Sequence, residues 1–430
     1  MIVGSINVMS RNETSHKNKV IIIQEVSPSS KNDDSKRIKY LCKTLMVNKY
    51  DYIITGAGCA GLSLLRSMMQ HQYFNNKKIL LIDKAEKNVN ERTWCFWEQQ
   101  PGLFEDIIYH RWPQIDFFSN DFSARFDLMP YQYKMIRGID LYETVLNEAT
   151  QHENIDIIYE EVKSIFSNES YAVVKTIGKE FHTEYVFNSI FFTDLKQQAL
   201  QQKNVYVLLQ HFKGWMIEAD SNIFDERIAT FMDFRISRDE GTEFVYVLPV
   251  AKNKALIEYT VFSEEILKQE EYDAALENYI TSTLNIKKYK MLNAEFGVIP
   301  MTNYKFSKGD NRIINIGIAG GDTKASSGYT FQFIQKHTAK IIDALLHEKN
   351  PLLIKLFFEK RFNLYDSILL HVLHHKKMSG DKIFAQLFKN NSVQTIFKFL
   401  DNETSLIEDF KIMNSVSLKT FLPAAIKEIF

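Results

Sequence analysis

The sequence predicts an α/β protein: a Rossmann-type dinucleotide-binding domain, an inserted antiparallel β-sheet domain and a helical C-terminal part. Three observations carry that prediction. A strand–turn–helix with G-x-G-x-x-G spacing lies at Tyr50–Gly61, short β-rich runs recur from 154 to 262, and a second glycine-rich strand–helix junction follows at 312–321. The boundaries drawn from these are 49–153 and 295–346 for the two parts of the dinucleotide domain, 154–294 for the β-rich domain and 347–430 for the helices. Residues 1–48 are polar and rich in Ser, Asn and Lys, and read as a poorly ordered extension. Met46, just before the first strand, is a candidate translation start.

The first junction is an apolar strand over 52–55 that runs into Gly56, Gly58 and Gly61, then a helical run over 62–69 without Gly or Pro. Gly56 permits the tight turn, Gly58 lets a pyrophosphate approach the backbone, and Gly61 lets the helix pack on the strand. The helix start offers free N–H groups and a positive dipole end to that phosphate. A second strand, 78–82, ends in Asp83, 22 residues beyond Gly61, where a ribose-binding carboxylate is expected. The plainer alternative is a glycine-rich turn in an ordinary α/β domain, with Asp83 a solvated strand end.

Arg92 then leads an aromatic stretch, Thr93-Trp94-Cys95-Phe96-Trp97. A basic residue there either reaches the bound dinucleotide or is a surface arginine beside core tryptophans. Met135-Ile136-Arg137-Gly138 leads into a helical run through Leu141, Val145 and Leu146.

The β-rich runs fall at 156–159, 171–175, 185–192, 205–209, 231–234, 244–248 and 255–261, separated by polar turns. Residues 263–284 read as helical. A β-branched strand over 312–316 enters Gly317-Ile318-Ala319-Gly320-Gly321, and a helix follows from about 330 to 346. Such a return to a glycine-rich junction after an insertion is typical of a flavin fold. In the helical remainder, Phe384, Leu387 and Phe388 share one face near Lys382 and Lys389. His371 and His375 have the i, i+4 spacing of metal ligands, but no acid completes the motif. The reading is a solvated or membrane-facing basic patch and no metal site; core packing explains the apolar stripe equally well.

Composition narrows the function. With 52 basic against 53 acidic residues there is no global field for nucleic acid. Three cysteines, Cys42, Cys59 and Cys95, without CxxC spacing support neither a disulfide framework nor zinc, and point to a reducing compartment. No apolar run reaches the roughly 18 residues needed to span a bilayer. The 32 Phe and 20 Tyr suit a large apolar ligand, although core packing accounts for most of them.

Three further stretches sharpen the picture: Tyr246-Val247-Leu248-Pro249, Leu256-Ile257-Glu258-Tyr259-Thr260, and Gly317 through Gly328-Tyr329-Thr330-Phe331. Together with Arg92–Trp97 and Arg137-Gly138, their order and spacing resemble the bacterial lycopene β-cyclases, over 49 to about 400. The resemblance implies a FAD-binding domain like that of flavin hydroxylases. Gly56, Gly58, Gly61, Asp83, Arg92, Arg137, Gly317, Gly320 and Gly321 would then hold the cofactor. It also implies a non-redox isomerisation of lycopene, through γ-carotene to β-carotene, that needs reduced FAD with NADPH as the usual electron source. The family's short acidic motif places its essential carboxylate at Glu258, with Tyr259 standing where a second acid is usual. Tyr259, Gly328, Tyr329 and Phe331 are the expected substrate contacts. Ile318 follows Gly317 where flavin hydroxylases have an Asp, and Asp322 reads as an unrelated surface residue. Because lycopene resides in bilayers, a cytoplasmic protein held peripherally at the inner face of the cytoplasmic membrane is expected. Without the resemblance, Glu258 reads more plainly as an exposed charge on an edge strand. Two alternatives remain, a flavin-dependent isoprenoid reductase or monooxygenase, and a non-catalytic carotenoid-binding flavoprotein.

Overall fold

The computed structural model describes residues 48–192, 195–199, 201–202, 204–236, 242–353 and 359–429. The expected extension, apart from residue 48, lies outside the described residues.

In chain order the first strands are β1 (Asn48–Thr55), β2 (Ile79–Asp83), β3 (Thr93–Glu98), β4 (His110–Trp112), β5 (Gln114–Phe118) and β6 (Ser123–Asp127). Next come β7 (Gln132–Arg137), β8 (Ile155–Tyr159), β9 (Ser164–Ser167), β10 (Ala172–Lys175), β11 (Glu180–Asn188) and β12 (Val207–Ala219). The last are β13 (Ile228–Asp233), β14 (Thr242–Ala251), β15 (Lys254–Ser263), β16 (Tyr289–Thr302), β17 (Gly309–Asp310) and β18 (Ile313–Asn315). The helices are α1 (Cys59–Met69), α2 (Gly138–Ala149), α3 (Leu195–Ala199), α4 (Gln269–Asn278) and α5 (Phe331–Leu346). The C-terminal part holds α6 (Glu359–His374), α7 (Gly380–Asn390), α8 (Val393–Leu400), α9 (Leu406–Asn414) and α10 (Leu418–Ile429).

The first sheet runs β17-β18-β11-β1-β2-β8, with β10 and β9 added beside β11. Its central strands are parallel, and the uninterrupted apolar runs of β1 and β2 are what a strand covered on both faces requires. Helices α1, α2 and α5 pack one face through Leu62, Leu65, Leu141, Val145, Ile334 and Ile341. The second sheet runs β16-β12-β15-β14-β13-β5-β6 and is antiparallel except where β13 meets β5. One of its faces is covered by α4 through Tyr272 and Leu276, and by Tyr279 directly after it. The other is covered by the small sheet β3-β7-β4 and by α7 and α8, with Trp97 stacked on Phe397 and Phe117 on Phe388.

Strand membership departs from the expected division at 154. Strands β8 to β11 belong to the dinucleotide sheet, and β5 and β6, from within 49–153, belong to the second sheet. Local β propensity marks a strand but not its partners, which are chosen by contacts distant in sequence.

Of the two readings of the C-terminal stripe, core packing is the one the structure shows: Phe384 and Phe388 are buried in the second core. His371 is fully buried, 2.7 Å from the Tyr206 hydroxyl, which in turn donates to Glu428 at 2.7 Å. Exposed apolar side chains lie instead on α9 and α10.

Candidate active site

The site forms where the glycine turn after β1, the second junction and the second sheet converge. A cavity of about 440 Å³ opens there. It is lined by Gly58, Cys59 and Ala60 at the start of α1, by Gly317 and Ile318, and by Arg92 and Thr93. Aromatic side chains line it as well: Trp94, Tyr133, Phe212, Tyr246, Tyr329 and Phe331. Glu258 is part of the same lining.

Strand register explains how Glu258 gets there. Tyr246 of β14 pairs with Glu258 of β15, Glu258 with Gly214 of β12, and Gly214 with Glu295 of β16. These four residues form one rung on one face of the sheet. Side chains alternate along a strand, so Leu256, Glu258 and Thr260 share this face while Ile257 and Tyr259 face α4. Thr260 donates to Glu258 Oε1 at 2.9 Å. Burial pushes the Glu258 carboxyl up to about 8, the Glu295 charge adds to that, and the Thr260 bond opposes it. Glu295 is buried and raised to about 7, again chiefly by burial, while the Thr93 hydroxyl at 2.8 Å and Arg92 favour its ionised form. A desolvated carboxyl that holds a proton near neutrality is equipped for general acid work.

Several expected site residues sit where the sequence suggests. At Gly58 an added Cβ would meet only open space, whereas at Gly61 it would lie 2.0 Å from the Gly56 carbonyl oxygen. Gly56 and Gly317 adopt positive φ, 97° and 61°, and turn the chain at the two junctions. Gly328, Tyr329 and Phe331 line the cavity, and the Tyr329 and Tyr246 hydroxyls are 3.4 Å apart.

Other expectations are corrected. Tyr259 does not line the cavity: it packs beneath α4 and donates to Glu243 at 2.8 Å. Arg137 lies off the cavity, paired with Asp140 and stacked on Tyr109. Gly320 and Gly321 shape the second turn without lining the cavity; a Cβ on Gly320 would lie 2.2 Å from the Asn315 carbonyl oxygen. Asp83 is buried, against the plainer alternative of a solvated strand end, and accepts from the Ala57 N–H at 2.6 Å, which braces the glycine turn. Asp322 is also buried, accepting from the Gly317 N–H at 2.7 Å and paired with His337 at 2.9 Å.

Sequence reasoning missed Glu295. Its strand, β16, leaves Met291, Leu292, Phe296 and Val298 exposed while an acid is buried, which reverses the usual pattern.

A glycine-turn Rossmann domain joined to a β-sheet domain over one cavity has the architecture of flavoproteins of the reductase and monooxygenase type. A geranylgeranyl bacteriochlorophyll reductase-like protein from Thermoplasma acidophilum shares it with a TM-score of 0.59 at 12% identity, over 89% of this chain and 99% of that one. A flavoprotein/dehydrogenase from Cytophaga hutchinsonii does so with a TM-score of 0.58 at 12% identity, over 89% and 100%. In sequence, a lycopene beta-cyclase of Pantoea ananas is 27% identical over 268 residues. That match spans 59% of this chain and 63% of the relative's length. The lycopene cyclase protein family model matches residues 51–425, and the chain belongs to that family.

Proposed function

We propose that this protein cyclises the acyclic ends of lycopene to β-ionone rings, giving β-carotene by way of γ-carotene. The observation that carries this reading is the Glu258 carboxyl, desolvated in an aromatic-lined cavity beside the glycine turn, where burial raises it above the usual carboxylate range. Glu258 delivers a proton to a terminal alkene, the neighbouring double bond closes on the tertiary cation, and a ring proton returns to the carboxylate. The reaction is an isomerisation with no net change in protons or electrons. The aromatic faces of Trp94, Tyr246 and Tyr329 each stabilise the passing cation by about 0.5–2 kcal/mol. Their phenols stay neutral, because burial raises both tyrosine hydroxyls.

The residues present fit FAD. The cavity has open backbone at Gly58 and two buried polar atoms without a partner among the described residues, Trp94 Nε1 and Gln210 Oε1. The α1 N-terminus would hold the pyrophosphate, with Arg92 nearby. When bound in its reduced state, with NADPH as electron source, the flavin would supply negative charge near the cation.

The test is expression of residues 46–430 in lycopene-accumulating bacteria, with pigments resolved by HPLC. Wild type is expected to yield β-carotene and Glu258→Gln to leave lycopene, a loss of at least about 10²-fold. Lycopene persisting beside folded, flavin-loaded wild type would reject the cyclase. A reductase or monooxygenase would instead consume NAD(P)H stoichiometrically with product.

Among the described residues no helix is long and apolar enough to cross a membrane. For access to a bilayer-held substrate, we propose peripheral attachment through α9 and α10. Leu406, Ile407 and Phe410 on one, and Leu418, Leu422 and Ile426 on the other, are exposed beside Lys411, Lys419 and Lys427.

A further inference from the structure

We infer that Glu258 and Glu295 work as one carboxyl pair that holds a single proton across neutral pH, with Glu295 the positioning residue that keeps this proton on Glu258. The use of the proton rests on the cyclase reading; the pair itself rests on the sheet. The two acids flank Gly214 on one rung, two strand spacings apart, or about 10 Å between Cα atoms. Gly214 has no side chain to separate them. A Cβ there would lie 3.1 Å from Glu295 Cγ and 3.5 Å from its Oε1, so the Glu295 side chain leans over the glycine. Glu295 Oε1 is buried and has no hydrogen-bond partner among the described residues, while Oε2 is occupied by Thr93. The residue after Glu258 cannot serve as the partner, because alternation turns Tyr259 to the α4 side.

The surroundings decide which acid keeps the proton. In this apolar site a charge on Glu295 makes Glu258 harder to ionise. Arg92, itself paired with Glu91, acts on Glu295 together with the Thr93 hydroxyl, and both favour its charged form. Around Glu258 stand the Cys95 thiol of β3 and the phenols of Tyr133, Tyr246 and Tyr329, all neutral because burial raises them. Among the described residues the Thr260 hydroxyl favours its ionised form. The negative charge therefore rests on Glu295 and the proton on Glu258. In turnover the Glu258 O–H breaks as the terminal C–H forms. After closure a ring C–H breaks, its electron pair becomes the ring double bond, and the proton restores the one-proton pair.

The test follows the protonated-carboxyl infrared band of the flavin-loaded protein against pH, without lycopene, using Glu258→Gln to assign it. The wild-type band is expected to persist to neutral pH. In Glu295→Gln its midpoint falls by roughly one pH unit or more, since a like charge has been removed. The basic limb of the cyclisation rate moves with it, at unchanged KM. Glu295→Asp, which keeps the charge, restores the midpoint toward wild type. If Glu295→Gln fails to fold, Thr93→Val gives a smaller shift of the same sign, because a Glu295 harder to ionise presents less charge to Glu258. An unmoved midpoint in folded Glu295→Gln, or in Thr93→Val where that is the variant that folds, overturns the pair. A wild type that titrates as described but forms no cyclic product rejects the cyclase reading and leaves the pair standing.

Discussion

At the scale of single residues, this protein repeatedly sets the protonation of buried acids by burial first and by neighbours second. Asp401 shows the same control away from the cavity. It is buried, accepts from Trp97 Nε1 at 2.7 Å, and is pushed up to about 7 by desolvation. A carboxyl whose folded value lies above its unfolded one costs nothing when protonated in both states. Its cost grows as pH rises from about 4 to 7 and is constant beyond. Asp401→Asn keeps an acceptor for the indole N–H and removes the charge. The variant is expected to unfold like wild type at pH 4 and to be more stable at pH 8, by at most about 4 kcal/mol. Equal stabilities at pH 8 in urea titrations would show that Lys336 already compensates the charge. Legibility at this scale was uneven. Glu258 was picked out only through the resemblance of its motif to the cyclase family; an acid within an apolar strand reads by itself as an exposed edge charge, because local sequence does not show that β15 is central and covered on both faces. The neighbouring Tyr259 was misassigned because sequence adjacency suggests a shared site, whereas the strand period of two sends the side chains to opposite faces.

At the scale of elements, glycine junctions and long helices announce themselves, and irregular edge strands do not. The turn after β1 was legible because each glycine answers a local steric demand. Strand β16 was not, because it is an edge strand carrying Gly297 and Pro300. An edge position tolerates a proline that a central strand would reject. Its outward apolar residues hid the alternation on which strand recognition depends. Helices α9 and α10 carry the opposite surprise, apolar side chains left in solvent. Phe410 is 67% exposed and Leu422 57% exposed. Burying a large apolar side chain contributes about 1.5–3 kcal/mol, so two such contacts with lipid outweigh a single lysine's attraction of about 1 kcal/mol. Phe410→Asp with Leu422→Asp is expected to lower flotation with anionic liposomes at least about tenfold, with the melting temperature unchanged. Undiminished flotation would remove these helices from membrane contact.

At the scale of the whole molecule, the C-terminal helices hold the wall of the cavity. The loop between the second junction and α5 presents Gly328 and Tyr329 to the site, and its conformation is fixed at Lys324. The Lys324 N–H donates to the Tyr329 carbonyl at 2.8 Å, and the Gly328 N–H donates to the Lys324 carbonyl at 2.9 Å. The Lys324 side chain is fully buried, donating to Asp366 of α6 at 2.8 Å and to Asn402 at 2.8 Å, beneath Phe362 and Phe399. Ser326 also donates to Asp366, at 2.6 Å. One ion pair therefore ties the loop to α6 and to the turn after α8. No local sequence signal revealed this joint, because the partners lie some 40 to 80 residues apart. Removing one member of a buried pair leaves an uncompensated charge and costs about 3–5 kcal/mol, while replacing both with apolar residues is often neutral. Lys324→Met is therefore expected to destabilise the fold by about that amount and to lower kcat by freeing Tyr329. Lys324→Met combined with Asp366→Leu is expected to recover most of the stability, measured by thermal unfolding of the flavin-loaded protein. If kcat recovers with stability, the joint serves the cavity wall through packing alone. If stability returns but kcat does not, the charged pair itself sets the position of Tyr329.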